Sequence, residues 1–326
     1  MSLILTGTEV MQILDMDLAL RAAHQAFLAY GQGRVNMPPK SYLQLAQGDF
    51  RAMYGEIFLE SGHLCGLKWV NVHPRNPERG LPTVMAKILL NDPDSGLEWA
   101  DLDGTHITNF RTGAAGGLAA RYLSRPESFR LGLIGAGEQA RTQVAALLKV
   151  RPLREVTIYS RTPARAQALK DELTAAYDLE VKVAKELAEA VQGMDILATT
   201  TPSTVPLVPA AWVAQVTHIN AIGADAAGKQ ELAADLLKRA RIVVDDWAQA
   251  SHSGEINVPL ARGEIRPEEV YGPLGDIVAG KKPGRETPAQ ITVFDSTGLI
   301  IQDLALGFAV YQQAHERGLG EEKKFL

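Results

Sequence analysis

Residues 130–140 read Arg130-Leu131-Gly132-Leu133-Ile134-Gly135-Ala136-Gly137-Glu138-Gln139-Ala140. A short apolar run ends on Gly135-x-Gly137-x-x-Ala140, and the residues from about Glu138 to Lys149 have helical character. This strand, turn and helix in succession form a dinucleotide fingerprint. One glycine makes the tight turn, the next lets backbone approach a pyrophosphate, and the small third residue lets helix and strand pack closely. The helix N-terminus adds unpaired N–H donors and positive potential. The plain alternative is a generic tight turn in a sheet that binds something else.

Working outward, residues 156–159, 195–199, 218–222, 242–245 and 291–295 read as further strands, with helical stretches over 163–177 and 184–191. Strands alternating with helices predict a parallel sheet covered on both faces. Upstream the texture differs. Leu14, Leu18, Ala22, Ala26 and Tyr30 recur at four-residue spacing, with Asp15 and Asp17 near the start and Gly31 as the stop, which predicts an amphipathic helix. From Pro38 to Leu90, short apolar runs alternate with Gly, Pro, Asn and Asp, the pattern of an antiparallel or mixed sheet. Residues 113–123 are small and helical, 124–128 form a connector, and 299–317 are helical again, able to return to the first domain. The expected class is α/β, with a Rossmann dinucleotide-binding domain over 120–298 inserted into a mixed α+β domain made of 1–119 and 299–326.

The length of 326 residues suits about two domains. Lys and Arg number 33 against 38 Asp and Glu, a net charge of −5 that gives no bulk attraction to phosphate backbones, so nucleic acid is not an expected partner. Cys65 is the single cysteine, which excludes an intrachain disulfide framework and a Cys-based zinc site; the seven histidines show no metal-ligand spacing, so no metal is expected. Neither a secretory leader pattern nor a window of ~20 apolar residues occurs. A cytoplasmic protein with no membrane association is expected.

The second strand bears on the choice of dinucleotide. It ends in Tyr159-Ser160-Arg161-Thr162, with Arg165 beyond, where an NAD site would place Asp or Glu to accept from the ribose 2′-hydroxyl. Ser160 and Thr162 can donate to a 2′-phosphate and Arg161 can pair with it, so NADP(H) is favoured and NAD(H) remains possible. Alternatively, Arg161 and Arg165 are solvated charges at a helix start. Further expected cofactor contacts are Thr112, Ala136, Glu138, Gln139, Thr200, Thr201, Ile222, Gly223 and Ser296 beside Gly135 and Gly137. Ser296 could equally cap the helix that follows it.

Nicotinamide chemistry also needs groups that hold a substrate. Lys40, Arg51, Lys68, His73 and Arg111 each sit in a stretch unlike a solvated face. Lys68 lies within Gly66-Leu67-Lys68-Trp69-Val70, where an apolar setting would lower its pKa toward neutrality and suit it to acid/base work. Arg51 and Arg111 suit bidentate carboxylate binding. Asp225 follows the 218–222 strand at the sheet's carboxyl edge, where it could move a proton or orient water, or simply cap a helix starting at Ala226. For the cations, surface ion pairs are the bland alternative.

Several gapless stretches, in order, resemble the ornithine cyclodeaminase and mu-crystallin family across nearly the whole chain: Met37 to Lys40, Gly48 to Met53, GLKWVNVHP (66–74), GLPTVM (80–85), RTGAAGG (111–117), Gly135 to Gly137, NAIGADAAGKQEL (220–232) and FDSTG (294–298). Within it, the likeness runs to the archaeal-type alanine dehydrogenases. The resemblance implies that Arg51, Lys68 and Arg111 bind the substrate carboxylate and reacting centre, with Lys40 nearby and Asp225 as acid/base. It implies that the first domain binds substrate and forms a homodimer. The implied reaction is NAD(P)-dependent oxidation of a small L-amino acid, alanine to pyruvate plus ammonia. The alternatives are an ornithine or lysine cyclodeaminase, a reductase of cyclic ketimines such as pyrroline- or piperideine-2-carboxylate, and a crystallin-like NADP(H) binder without turnover. Ser160 departs from the acidic residue of the alanine dehydrogenase pattern and looks more like the mu-crystallin type.

Overall fold

The computed structural model describes residues 1–324. The chain divides into two compact units, Met1–Arg111 with Leu299–Leu326, and Thr112–Gly298. The last segment thus belongs with the first, and the second unit is an insertion.

The first unit holds strands β1 (Ser2–Leu5), β2 (Val35–Asn36), β3 (Ser41–Leu45), β4 (Gly48–Leu59), β5 (Gly62–Val72), β6 (Val84–Asn91) and β7 (Glu98–Asp103). Pairing is antiparallel except where β1 runs parallel to β7. Alternation along these strands gives the sheet two faces. Met53 pairs with Lys68 and Lys68 with Ile88, so these three share the face covered by the helices Met16–Gly31 and Ile300–Arg317. Arg51, paired with Val70, lies on that same face. The Met16–Gly31 helix starts where Asp15 accepts the Leu18 N–H at 2.7 Å. Its end corrects the expected stop: Gly31 is still helical, and Gly33, at φ +72°, makes the left-handed exit.

The second unit holds β8 (Arg130–Ile134), β9 (Glu155–Tyr159), β10 (Glu180–Val183), β11 (Ile196–Thr199), β12 (His218–Ala221), β13 (Ala240–Val244), β14 (Val270–Pro273) and β15 (Ile291–Asp295). They form one sheet in the order β10-β9-β8-β11-β12-β15-β13-β14, every pairing parallel. Strand order reverses at β8, between β9 and β11, which is the doubly wound arrangement whose switch point binds ligands. A last strand, β16 (Glu321–Lys323), returns to pair with β1. The helix expected over 184–191 is a single 3₁₀ turn, Leu187–Ala190, and sequence periodicity missed the edge strands β10 and β14.

The division at Arg111/Thr112 falls inside the helix Gly104–Leu123, eight residues before the boundary expected from the connector. Its small residues serve packing. A Cβ on Gly113 would come 2.6 Å from the Thr142 Cβ, and one on Gly116 would come 2.2 Å from the Gln143 Oε1. Gln143 donates to the Thr112 carbonyl at 3.2 Å and accepts from Asn220 at 2.9 Å, fixing the helix over the end of β12.

Candidate active site

In the first unit, strand alternation brings Lys68 to the covered face with no exposed surface, directly opposite the helix Ile300–Arg317. That helix supplies Asp303, also fully buried, whose Oδ2 accepts from Lys68 Nζ at 2.6 Å. Its other oxygen, Oδ1, accepts from Arg111 Nε at 3.1 Å, and Arg111 Nη1 reaches Gln302 Oε1 at 3.4 Å. One carboxylate therefore holds two cations. Burial, the neighbouring Arg111 charge and Lys40 push the Lys68 pKa down, the Asp303 charge and hydrogen bond push it up, and it settles at about 7. Lys68 can therefore gain or lose a proton near neutrality. Arg51 is 5% exposed, and its guanidinium forks onto Asp49 through Nε at 2.8 Å and Nη2 at 3.2 Å beside the Tyr42 ring. The structure brings Lys40, Lys68 and Arg111 into one electrostatic cluster and places Arg51 on the same sheet face.

On the opposite face, Leu43, Leu45, Tyr54, Phe58 and Trp69 are exposed, and Phe50 stacks on Trp69 at 5.0 Å between centroids. An apolar surface of this kind usually marks an interaction site.

In the second unit, the fingerprint turn has the geometry of a phosphate cradle. Gly135 sits at φ +115°, and a Cβ there would come 2.4 Å from the Thr200 Oγ1; a Cβ on Gly137 would meet nothing within 4 Å. Gly137 is the N-cap of the helix Glu138–Leu148 and contributes no side-chain cap. The turn therefore presents backbone donors beside open space, which fits a dinucleotide pyrophosphate. Ala136, Glu138 and Gln139 flank the turn, and Ile222 and Gly223 follow β12. At the end of β9, the Ser160 hydroxyl accepts the Thr162 N–H at 3.2 Å, and Arg161 and Arg165 are exposed.

The helix-cap reading fails for Asp225, since no helix starts at Ala226; instead the carboxylate takes a hydrogen bond from Lys229 Nζ at 2.5 Å. It fails for Ser296 too. The following helix begins at Ile300, its N-cap is Leu299, and Gln302 Oε1 accepts the Leu299 N–H at 2.8 Å. Ser296 Oγ is buried and has no hydrogen-bond partner among the described residues. Among the described residues no group of His, Cys, Asp and Glu is placed to hold a metal ion, and no helix is long and apolar enough to cross a membrane.

The model of the ornithine cyclodeaminase/mu-crystallin family matches residues 1–318. The chain belongs to this family. Among its relatives, the alanine dehydrogenase of Archaeoglobus fulgidus is 48% identical over 324 residues, covering 99% of this chain and 98% of that one. An archaeal alanine dehydrogenase dimer with bound NAD superposes with a TM-score of 0.95 at 47% identity, covering 100% and 99% of the two chains. The Thermococcus litoralis Δ1-pyrroline-2-carboxylate reductase, in complex with NADH and L-proline, gives a TM-score of 0.95 at 33% identity over 98% and 100%.

For this member of the ornithine cyclodeaminase/mu-crystallin family, sequence reasoning found the cations but not the anions that hold them. The anions are Asp49 and Asp303, with the neutral Gln302 as a further acceptor for Arg111. Asp303 had a signal, because Gln302-Asp303 interrupts Ile300-Ile301-x-x-Leu304-Ala305-Leu306, and an acid inside an apolar helix face is buried against a partner. Lys229, four residues after Asp225, was legible as a spacing but not as a contact.

Proposed function

We propose that this protein is an NAD(P)-dependent L-amino acid dehydrogenase that interconverts L-alanine with pyruvate and ammonia. The observation that carries this reading is the buried Lys68–Asp303–Arg111 cluster on the covered sheet face. Such a cluster stays folded only with an anion shared between its cations, and it leaves guanidinium and ammonium donors for a small carboxylate.

In this reading Arg51, oriented by its fork onto Asp49, and Arg111, oriented by Asp303, bind the substrate carboxylate. Lys68, with its pKa at about 7, donates through Nζ to the substrate carboxylate or to the oxygen of the reacting carbon, and Lys40 adds positive charge nearby. Asp225 accepts the proton that leaves the substrate amine and orients the water that attacks the resulting C=N bond, with Lys229 hydrogen-bonded to its carboxylate. Bound nicotinamide supplies the hydride acceptor for the substrate Cα. Gly135, Ala136, Gly137, Glu138 and Gln139 hold the pyrophosphate, and Thr112, Thr200, Thr201, Ile222, Gly223 and Ser296 line the dinucleotide's path.

NADP(H) is the preferred dinucleotide and NAD(H) is accepted, because Ser160-Arg161-Thr162 offers donors and a cation with no carboxylate to repel a 2′-phosphate. The exposed apolar sheet face is covered by a second copy, giving a homodimer. The first unit carries both that face and the substrate groups, and the second is the dinucleotide domain. A free Cys65 suits a cytoplasmic location.

Steady-state oxidation of NADPH or NADH by the purified protein, in the presence of ammonium and pyruvate, tests the assignment. Absence of turnover with every small 2-oxoacid sinks it. The likeness to the reductase with L-proline bound supports a second reading, reduction of a cyclic imine. Turnover with pyrroline-2-carboxylate but not with pyruvate plus ammonium identifies that activity.

A further inference from the structure

Behind the carboxyl edge of the second unit's sheet runs a ladder of four fully buried carboxylates, Asp245, Asp295, Glu255 and Glu231. Each receives backbone N–H groups from the next segment. Asp245 accepts from the N–H of Thr297 at 2.6 Å and of Gly298 at 2.7 Å. Asp295 accepts from the N–H of Glu255 at 2.9 Å and of Ile256 at 3.1 Å. Glu255 accepts from the N–H of Glu231 at 2.9 Å and of Leu232 at 2.5 Å. Glu231 ends the ladder. Its Oε1 accepts from both the N–H and the hydroxyl of Thr201 at 2.7 Å, and its Oε2 from the N–H of Gly223 at 2.9 Å.

The two segments that Glu231 joins are in direct contact. A Cβ on Gly223 would come 2.0 Å from the Thr201 carbonyl oxygen and 2.4 Å from Glu231 Oε2. Thr200, next to Thr201, is the residue against which Gly135 packs, and it bonds the Ile134 carbonyl through both its N–H and, at 3.2 Å, its hydroxyl. A shift of the Thr201 turn is therefore transmitted to the glycine turn of the cradle. Gly223 also lies two residues before Asp225.

We propose that Glu231 is a positioning residue for the dinucleotide, its carboxylate locking the Thr201 turn to the Gly223 turn while Glu255, Asp295 and Asp245 hold it in place. The proposal rests on the reading of this unit as the dinucleotide domain. Three donors converge on Glu231, so a carboxylate, which only accepts, is required; an amide would aim its own N–H at one of them. The groups facing it are the hydroxyls of Thr199 and Thr201 and, along the ladder, the carboxylates of Glu255 and Asp295. Burial lifts the Glu231 carboxyl to about 7 and lifts Glu255 well above its ordinary range, the Glu231 and Asp295 charges adding to the latter. As pH falls through about 7, Glu231 takes a proton and one of its oxygens becomes a poorer acceptor, so the lock loosens.

Its raised pKa also means that, through this group, folding stability falls as pH rises from 4.5 toward about 7, whereas dinucleotide affinity rises over the upper part of that window. A purely structural residue would move affinity and stability together. The test is calorimetric titration of NADH into the full-length protein and into Glu231→Gln between about pH 6 and 8, with thermal unfolding of both. The expected result is a parent Kd that tightens with pH, and a folded variant whose Kd at about pH 8 is weaker by at least ~10-fold, or ~1.4 kcal/mol, and flat with pH. A folded variant with the parent's affinity and pH profile overturns the proposal. If the variant does not fold, a parent Kd that is constant across the range overturns it. Failure of the parent to bind either NADH or NADPH overturns the dinucleotide reading itself, and this proposal with it.

Discussion

Replacing Asp303 by Asn keeps the side-chain volume and removes one negative charge from a fully buried site. Lys68 loses the attraction and the 2.6 Å hydrogen bond that raise its pKa, while burial, Arg111 and Lys40 still lower it. Its proton then comes off below about 7, and Arg111 loses its 3.1 Å bond. Breaking a buried pair from one side costs ~3–5 kcal/mol. Asp303→Asn is therefore expected to lower unfolding free energy by that amount, and to cut kcat/KM near neutrality at least ~10-fold through the loss of a charged donor to substrate.

Lys68→Met should cost far less stability. Asp303 keeps Arg111, and the buried ammonium is gone. A fall in the Lys68 pKa from 10.5 to about 7 corresponds to a cost of roughly 5 kcal/mol for holding the charge in the folded state, at ~1.36 kcal/mol per pH unit. Between those two values the unfolded chain binds more protons than the folded one, so the parent gains stability as pH rises through that window. Lys68→Met lacks this gain. It should be inactive, yet lose far less stability at neutral pH than Asp303→Asn. Urea unfolding of the three proteins at about pH 7 and 9 checks this, with kcat/KM measured alongside. An Asp303→Asn protein as stable as the parent at neutral pH refutes the reasoning, as does a Lys68→Met protein that gains stability with pH as the parent does.

Two further outcomes are expected. Arg161→Asp should move the ratio of kcat/KM for NADPH over NADH toward NADH by at least ~10-fold, since a carboxylate there repels a 2′-phosphate and accepts from a 2′-hydroxyl; an unchanged ratio removes Arg161 from cofactor choice. Trp69→Glu places a charge on the exposed apolar face, where Trp69 is 42% exposed, and should give a monomer by light scattering; a mass unchanged from the parent assigns dimerisation to another surface.

The sequence alone carried the dinucleotide unit, because its signals are local. A tight turn needs its glycine at a fixed place after a strand, and parallel strands buried on both faces read as apolar runs. The absence of an acid at Ser160 and the presence of cations at 40, 51, 68 and 111 were equally visible, as was the return of 299–317 to the first domain. The edge strands β10 and β14 were not, since a strand bordering solvent lacks the apolar run that marks a central one. What only the tertiary structure decided is which charges meet. Lys68 and Asp303 stand 235 positions apart in sequence and share a bond, and Glu231 reaches back 30 positions to Thr201. Pairing across such separations is set by sheet register and helix packing, and it adds the Asp303 bond, which raises the Lys68 pKa, and the Arg111 charge, which lowers it, to the lowering that its apolar strand already implies.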